Sequence, residues 1–119
     1  MQGGAVDFLT KPVPTAVLLD AIHRALQRDV DSRRRHAHVS ELRARYETLS
    51  PRERQVMAGV IEGLLNKQIC YTLKAAERTV KTHRSRVMAK MKAQSVAELV
   101  RLAEELIASG VELERVAWD

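Results

Sequence analysis

Helix-start signals set between apolar stripes constrain this chain more than any other feature. Ser50-Pro51-Arg52-Glu53 offers a capping side chain, a proline at the first helical position and a glutamate that completes a capping box. Val56, Met57, Val60, Ile61 and Leu64 then line one helical face, with Gly63 near its end. Asn66 suits the cap of a short second helix through Ile69, Cys70 and Leu73. A break at 74–76 leads into a third helix over about Glu77 to Met91. Ser95 and Glu98 form another capping box. They open a fourth helix whose stripe is Val96, Leu99, Val100, Ala103, Leu106 and Ile107, and Gly110 ends it. Residues 51–109 therefore read as four helices joined by short turns, an all-α unit.

Charge is concentrated on the middle of that unit. Residues 66–92 hold eight Lys or Arg against one acid, Glu77, so their +7 exceeds the +5 of the whole chain. Such charge belongs to a site rather than to general solubility. It lies on a helix-turn-helix pattern, which is what a DNA-reading module needs. Aromatics are 3% of the chain, too few for the base-stacking platforms of single-strand and RNA binders.

At roughly 100° per residue, Val80, Val87, Met88 and Met91 gather on one side of the third helix. The opposite arc carries Arg78, Thr79, Lys81, Thr82, Ser85, Arg86 and Lys90: four bases, three hydroxyls and no acid. Lys, Thr and Ser suit base edges, while Arg and Lys at the margins suit phosphates. An ordinary solvated face usually mixes acids with bases. Arg84 falls on the apolar side and is expected to bury its stem and expose its head. His83 sits at the boundary, where a structural hydrogen bond is expected.

Other chemistries find little footing. No nucleophile–base pair or Gly-rich phosphate loop stands out, so neither an enzyme nor a cofactor is expected. His36 and His38 lack neighbouring metal ligands. Cys70 is the lone cysteine and reads as a small buried residue, in keeping with a reducing cytosol. No apolar run approaches the roughly 18 residues of a membrane span, and no signal-peptide pattern appears.

Upstream, Thr15 to Ser50 contain no Gly or Pro. Leu18, Leu19, Ile22, Ala25 and Leu26 have helical spacing. A charged stretch follows with only a thin apolar stripe at Val39, Leu42 and Tyr46, and it reads as a linker, helical in part. Its Arg33-Arg34-Arg35 run reads as solvated linker charge, with DNA phosphate contact as the alternative.

Several of these segments, in order and spacing, resemble a known family. Leu49-Ser50-Pro51-Arg52-Glu53-Arg54-Gln55-Val56, Glu62-Gly63-Leu64, Asn66-Lys67-Gln68-Ile69 and Glu77-Arg78-Thr79-Val80-Lys81-Thr82-His83 are similar to the DNA-binding domain of LuxR-type transcription regulators. The longer run through Ser95-Val96-Ala97-Glu98-Leu99 looks most like the FixJ-type response regulators. The resemblance implies a four-helix domain at 48–109 whose recognition helix, about 77–91, enters the major groove of double-stranded DNA. It implies base contacts at Lys81, Thr82 and Ser85, and phosphate contacts at Lys67, Arg78, Thr79 and Arg86. Lys90 joins the phosphate set from its place on the basic arc. The last helix of the family often makes a dimer contact, for which Leu99, Ala103 and Leu106 are the candidates; the same face could instead complete the domain's own core. A cytoplasmic homodimer regulating transcription, with RNA polymerase as a further partner, is the corresponding expectation. The alternative is a helical dimerisation or interaction module with weak or no DNA binding.

Gly4-Ala5-Val6-Asp7-Phe8-Leu9-Thr10-Lys11-Pro12 resembles the end of a receiver domain. On that reading 1–30 is a receiver remnant, 31–47 a linker and 110–119 a C-terminal tail. The remnant has no phospho-accepting aspartate, so DNA binding is expected to ignore phospho-donors. Residues 1–12 are expected to be disordered or in non-native contacts. Helix 15–29 is expected to pair with a second copy or to run on into the linker. Three positions depart from the family: Lys74 and Lys92 replace expected glycines, and Ala76 replaces a capping serine. Those changes bear on stability more than on function.

Overall fold

A computed structural model describes residues 15–118. Five helices occupy them: α1 Thr15–Glu47, α2 Pro51–Ile61, α3 Asn66–Leu73, α4 Glu77–Met91 and α5 Val96–Ala108. No strand occurs among the described residues. The all-α expectation holds. The expectations for the strand at 5–10, for Lys11 and for residues 1–12 lie outside the described residues. Two units are distinguished, one ending at Ala37 and one beginning at His38.

In the N-terminal unit α1 is held by its own sequence. With no Gly or Pro to stop it, helix 15–29 does run on, through the whole of the expected linker. Asp20–Arg24 and Asp29–Arg33 pair across one turn, acid first, at 3.3 and 2.8 Å. Such exposed pairs add about 0.3–0.5 kcal/mol each. Leu18, Leu19, Ile22 and Leu26 remain 47–61% exposed.

In the C-terminal unit the last turns of α1 are core. Leu42 and Tyr46 are 0% and 5% exposed. The folded unit thus reaches back to His38 rather than starting at 48. The thin stripe read as linker is the edge of a core face. Val56, Met57 and Val60 of α2, Ile69 and Leu73 of α3, Val80, Val87 and Met91 of α4, and Leu99, Leu102, Ala103 and Leu106 of α5 complete that core. Packing of α4 on α2 and α3, and of α5 on α2, places α4 on the outside of the bundle with one face free. The Ser50 box forms in full: Ser50 Oγ accepts from the Glu53 N–H at 3.2 Å, and Glu53 Oε1 accepts from the Ser50 N–H at 2.9 Å. At α5, Ser95 Oγ accepts from the Glu98 N–H, while the Glu98 carboxylate takes the N–H of Gln94, one residue further back.

Three readings are corrected here. Asn66 does not cap α3; the helix begins on it, and Gln68 Oε1 accepts the N–H of Leu65 at 2.7 Å. The Asn66 side chain accepts instead from Arg84. In the stretch read as a C-terminal tail, the described residues 110–118 are docked, because Val111, Leu113, Val116 and Trp118 pack on the core. The Glu114 N–H also donates to the Tyr46 hydroxyl at 2.8 Å. Leu99, Ala103 and Leu106, candidates for a dimer face, are 0%, 2% and 0% exposed within the single chain. Buried in the cluster shared with α2, α3 and α4, they serve as core.

Both replaced glycines sit where glycine would be comfortable. Lys74 has φ 53 and Lys92 φ 56, each closing a helix. Ala76 is the N-cap of α4 and offers no side-chain acceptor. Relief of left-handed strain at Lys92→Gly, and a new cap in Ala76→Ser, are each expected to stabilise by about 1 kcal/mol. Thermal unfolding should then shift upward by about 4–8 °C per substitution. An unchanged midpoint would mean that the surrounding turn already relaxes the strain.

Candidate nucleic-acid interface

The site is made by anchoring one side of α4. Val80, Val87 and Met91 are all 0% exposed, with Met88 packed against them. At 100° per residue this turns the opposite arc outward. Arg78, Thr79, Lys81, Thr82, Ser85 and Arg86 are all exposed. Glu77, Arg78, Lys81, Thr82, Ser85 and Arg86 line one open surface depression. Arg78, Lys81 and Arg86 make no hydrogen bond or ion pair with the described residues. Lys67, in the first turn of α3, is exposed as well. The arc therefore offers two guanidinium forks and an ammonium around a floor of hydroxyls. That set matches the edges and backbone of a nucleic-acid groove.

Lys90 does not belong to it. Its ammonium lies 2.8 Å from Glu53 Oε1 and 3.2 Å from the Thr48 carbonyl oxygen. Glu53 is only 2% exposed, a carboxylate that needs a cation beside it. Burial pushes the Glu53 carboxyl up, but the Lys90 ammonium and the Ser50 N–H outweigh it and hold its pKa below the usual range. Lys90 thus clamps α4 to the first turn of α2, and its place among the phosphate contacts is withdrawn. The helical wheel could not find this tie, because it joins residues on different helices.

Arg84 behaves as its apolar position implied. It is half-buried, and its guanidinium donates to Asn66 Oδ1 at 3.1 Å, tying α4 to the start of α3. The structural bond expected of His83 is not made by Nδ1, which is buried with no partner among the described residues. Arg45 donates to the Met91 carbonyl oxygen at 3.2 Å and closes the far end of α4. The middle and the C-terminal end of the helix are thus tied to its neighbours, which limits how far the exposed arc can swing. His38 Nε2 lies 2.8 Å from Glu105 Oε1, and among the described residues no three His, Cys, Asp or Glu gather as a metal site.

Residues 47–103 match the family model described as bacterial regulatory proteins, luxR family. Those residues are a LuxR-family domain. Nodulation protein W of Bradyrhizobium diazoefficiens is 50% identical over 106 residues, 89% of this chain and 47% of that protein. The transcriptional regulatory protein FixJ of Rhizobium meliloti is 48% identical over 103 residues, 87% of this chain and 50% of its own length. Among solved structures, the response regulator StyR superposes with a TM-score of 0.72 at 41% identity, covering 80% of this chain and 48% of that one. Full-length FixJ from B. japonicum gives 0.61 at 40%, covering 82% and 48%. The chain spans about half the length of the curated relatives it matches. FixJ is a transcriptional regulatory protein and StyR a response regulator. The match to the luxR family and to these relatives supports a DNA-binding domain of transcription regulation, and α4 lies inside the matched residues. No described helix is long and apolar enough to cross a membrane.

Proposed function

We propose that the LuxR-family domain reads double-stranded DNA by placing α4 in the major groove, as the output part of a two-component response regulator. The observation that carries this is the exposed outer arc of α4, where Arg78, Lys81 and Arg86 have no partner among the described residues and Glu77 is the one acid at the edge. Lys81, Thr82 and Ser85 face base edges; Lys67, Arg78, Thr79 and Arg86 grip the flanking phosphates. Residues 48–109 carry the contacts, with the end of α1 bracing them. Residues 1–30 correspond to the end of a receiver domain, and 31–37 follow it in the chain before the DNA-binding unit. The regulator acts in the cytoplasm as a homodimer on DNA, with RNA polymerase as a further partner. Its dimer contact lies outside Leu99, Ala103 and Leu106.

The test compares Lys81→Ala with the wild-type chain on a duplex selected from a random pool and on random duplex. Loss of about 1–3 kcal/mol on the selected site, and clearly less on random DNA, is expected of a base contact. Equal losses on both would move Lys81 to the phosphate set. A wild-type chain that enriches no sequence at all would overturn sequence-specific reading.

A further inference from the structure

Two features of α3 lie outside the interface described above. Tyr71 leaves 75% of its surface exposed, more than Leu65 at 68%. Lys74, which closes the helix, holds φ 53 and ψ 48. Lys67 and Tyr71 are spaced i, i+4 on one outward stripe, Lys74 follows at the helix end, and all three are exposed. Ile69 and Leu73 take the buried side, and the stripe itself carries no acid.

A lysine in the left-handed region is strained, and glycine is free of that strain. Lys74 makes no hydrogen bond or ion pair with the described residues through its side chain. Its ammonium therefore gives the fold nothing in return for the strain. The stripe also adjoins the α4 arc. Glu77 borders the depression of Arg78, Lys81 and Arg86, and it borders a second one together with Lys67 and Arg84. Lys74 lies in the turn that leads directly into α4.

We propose that Lys67, Tyr71 and Lys74 form a second DNA-backbone track along α3, in which Tyr71 and Lys74 are phosphate contacts. The Tyr71 hydroxyl and the Lys74 ammonium each donate to a phosphate oxygen beside the groove that α4 enters. This rests on the DNA-binding reading of the domain. It assigns to Lys74 a reason for occupying a glycine position.

The experiment measures fluorescence anisotropy of the full chain with a selected duplex and a random duplex across a salt series, alongside thermal unfolding. Lys74→Gly is expected to raise the unfolding midpoint yet weaken binding about three- to tenfold on both duplexes, with the log–log salt slope reduced by about 1. Lys74→Arg keeps the wild-type slope. Tyr71→Phe loses about two- to fivefold on both duplexes with the slope unchanged, since a hydroxyl displaces no counterion. The track stands only if both Lys74→Gly and Tyr71→Phe weaken binding. Steep salt dependence in the wild type with either variant unaffected overturns the track and leaves the DNA reading intact. A wild type whose binding is flat in salt overturns both.

Discussion

Affinity for duplex DNA is expected to fall by about two decades per bound copy between about 50 and 200 mM salt. Each neutralised phosphate contributes about 0.9 to the log–log slope. Lys67, Arg78 and Arg86 are exposed cations in the proposed phosphate set, and the α3 track adds Lys74. Thr79 is neutral and releases no counterion, and Lys90 is committed to Glu53. Three or four cations give a slope of about −3 to −4, hence about two decades over a fourfold change in salt. Two copies on a palindromic site double the count and bring the loss to about four decades. The size of the fall therefore reports stoichiometry as well as mechanism. Anisotropy titrations at four or five salt concentrations suffice. A flat profile would favour the alternative of a helical interaction module, in which the basic arc meets an acidic protein surface or only water.

Much of the fold was legible because local rules and tertiary structure agree in it. The full capping box at Ser50 and the apolar stripe of α4 appear in the structure where spacing put them. The recognition arc was legible for the same reason: once Val80, Val87 and Met91 are known to be core, helical geometry exposes the rest. What escaped was everything that joins distant segments. Lys90 reads as one more base on a wheel until Glu53 arrives from α2. Tyr46 lies on a thin apolar stripe and Trp118 stands apart from any, so neither announces the docked C-terminal stretch. Asn66 is a good cap by residue type, but Gln68 satisfies the free N–H and Arg84 claims the Asn66 side chain. Lys74 and Lys92 show the opposite case. The family resemblance flagged them as glycine positions, and the left-handed φ at each is what such positions require.

Leu106→Glu is expected to unfold the C-terminal unit. A face that serves dimerisation and a face that serves core look alike in sequence, since both are apolar at helical spacing. Burial separates them. Leu106 is 0% exposed in the single chain, packed with Leu99 and Leu102 of its own helix and with the core of the neighbouring helices. Removing a buried leucine costs about 2–5 kcal/mol. Placing a carboxylate there adds the cost of burying or neutralising its charge. The sum reaches the whole stability of a typical domain, about 5–15 kcal/mol. Ile107, one residue on, is 57% exposed and supplies the control. Ile107→Glu should keep the wild-type helical signal in circular dichroism and a cooperative melt, whereas Leu106→Glu should lose both. Sedimentation of the two variants then locates the self-association. A folded Ile107→Glu that stays monomeric where the wild type dimerises would put the contact on the outer face of α5. A folded, monomeric Leu106→Glu would mean that α5 opens from the core to pair with a second copy, and the assignment of Leu99, Ala103 and Leu106 to the core would fall.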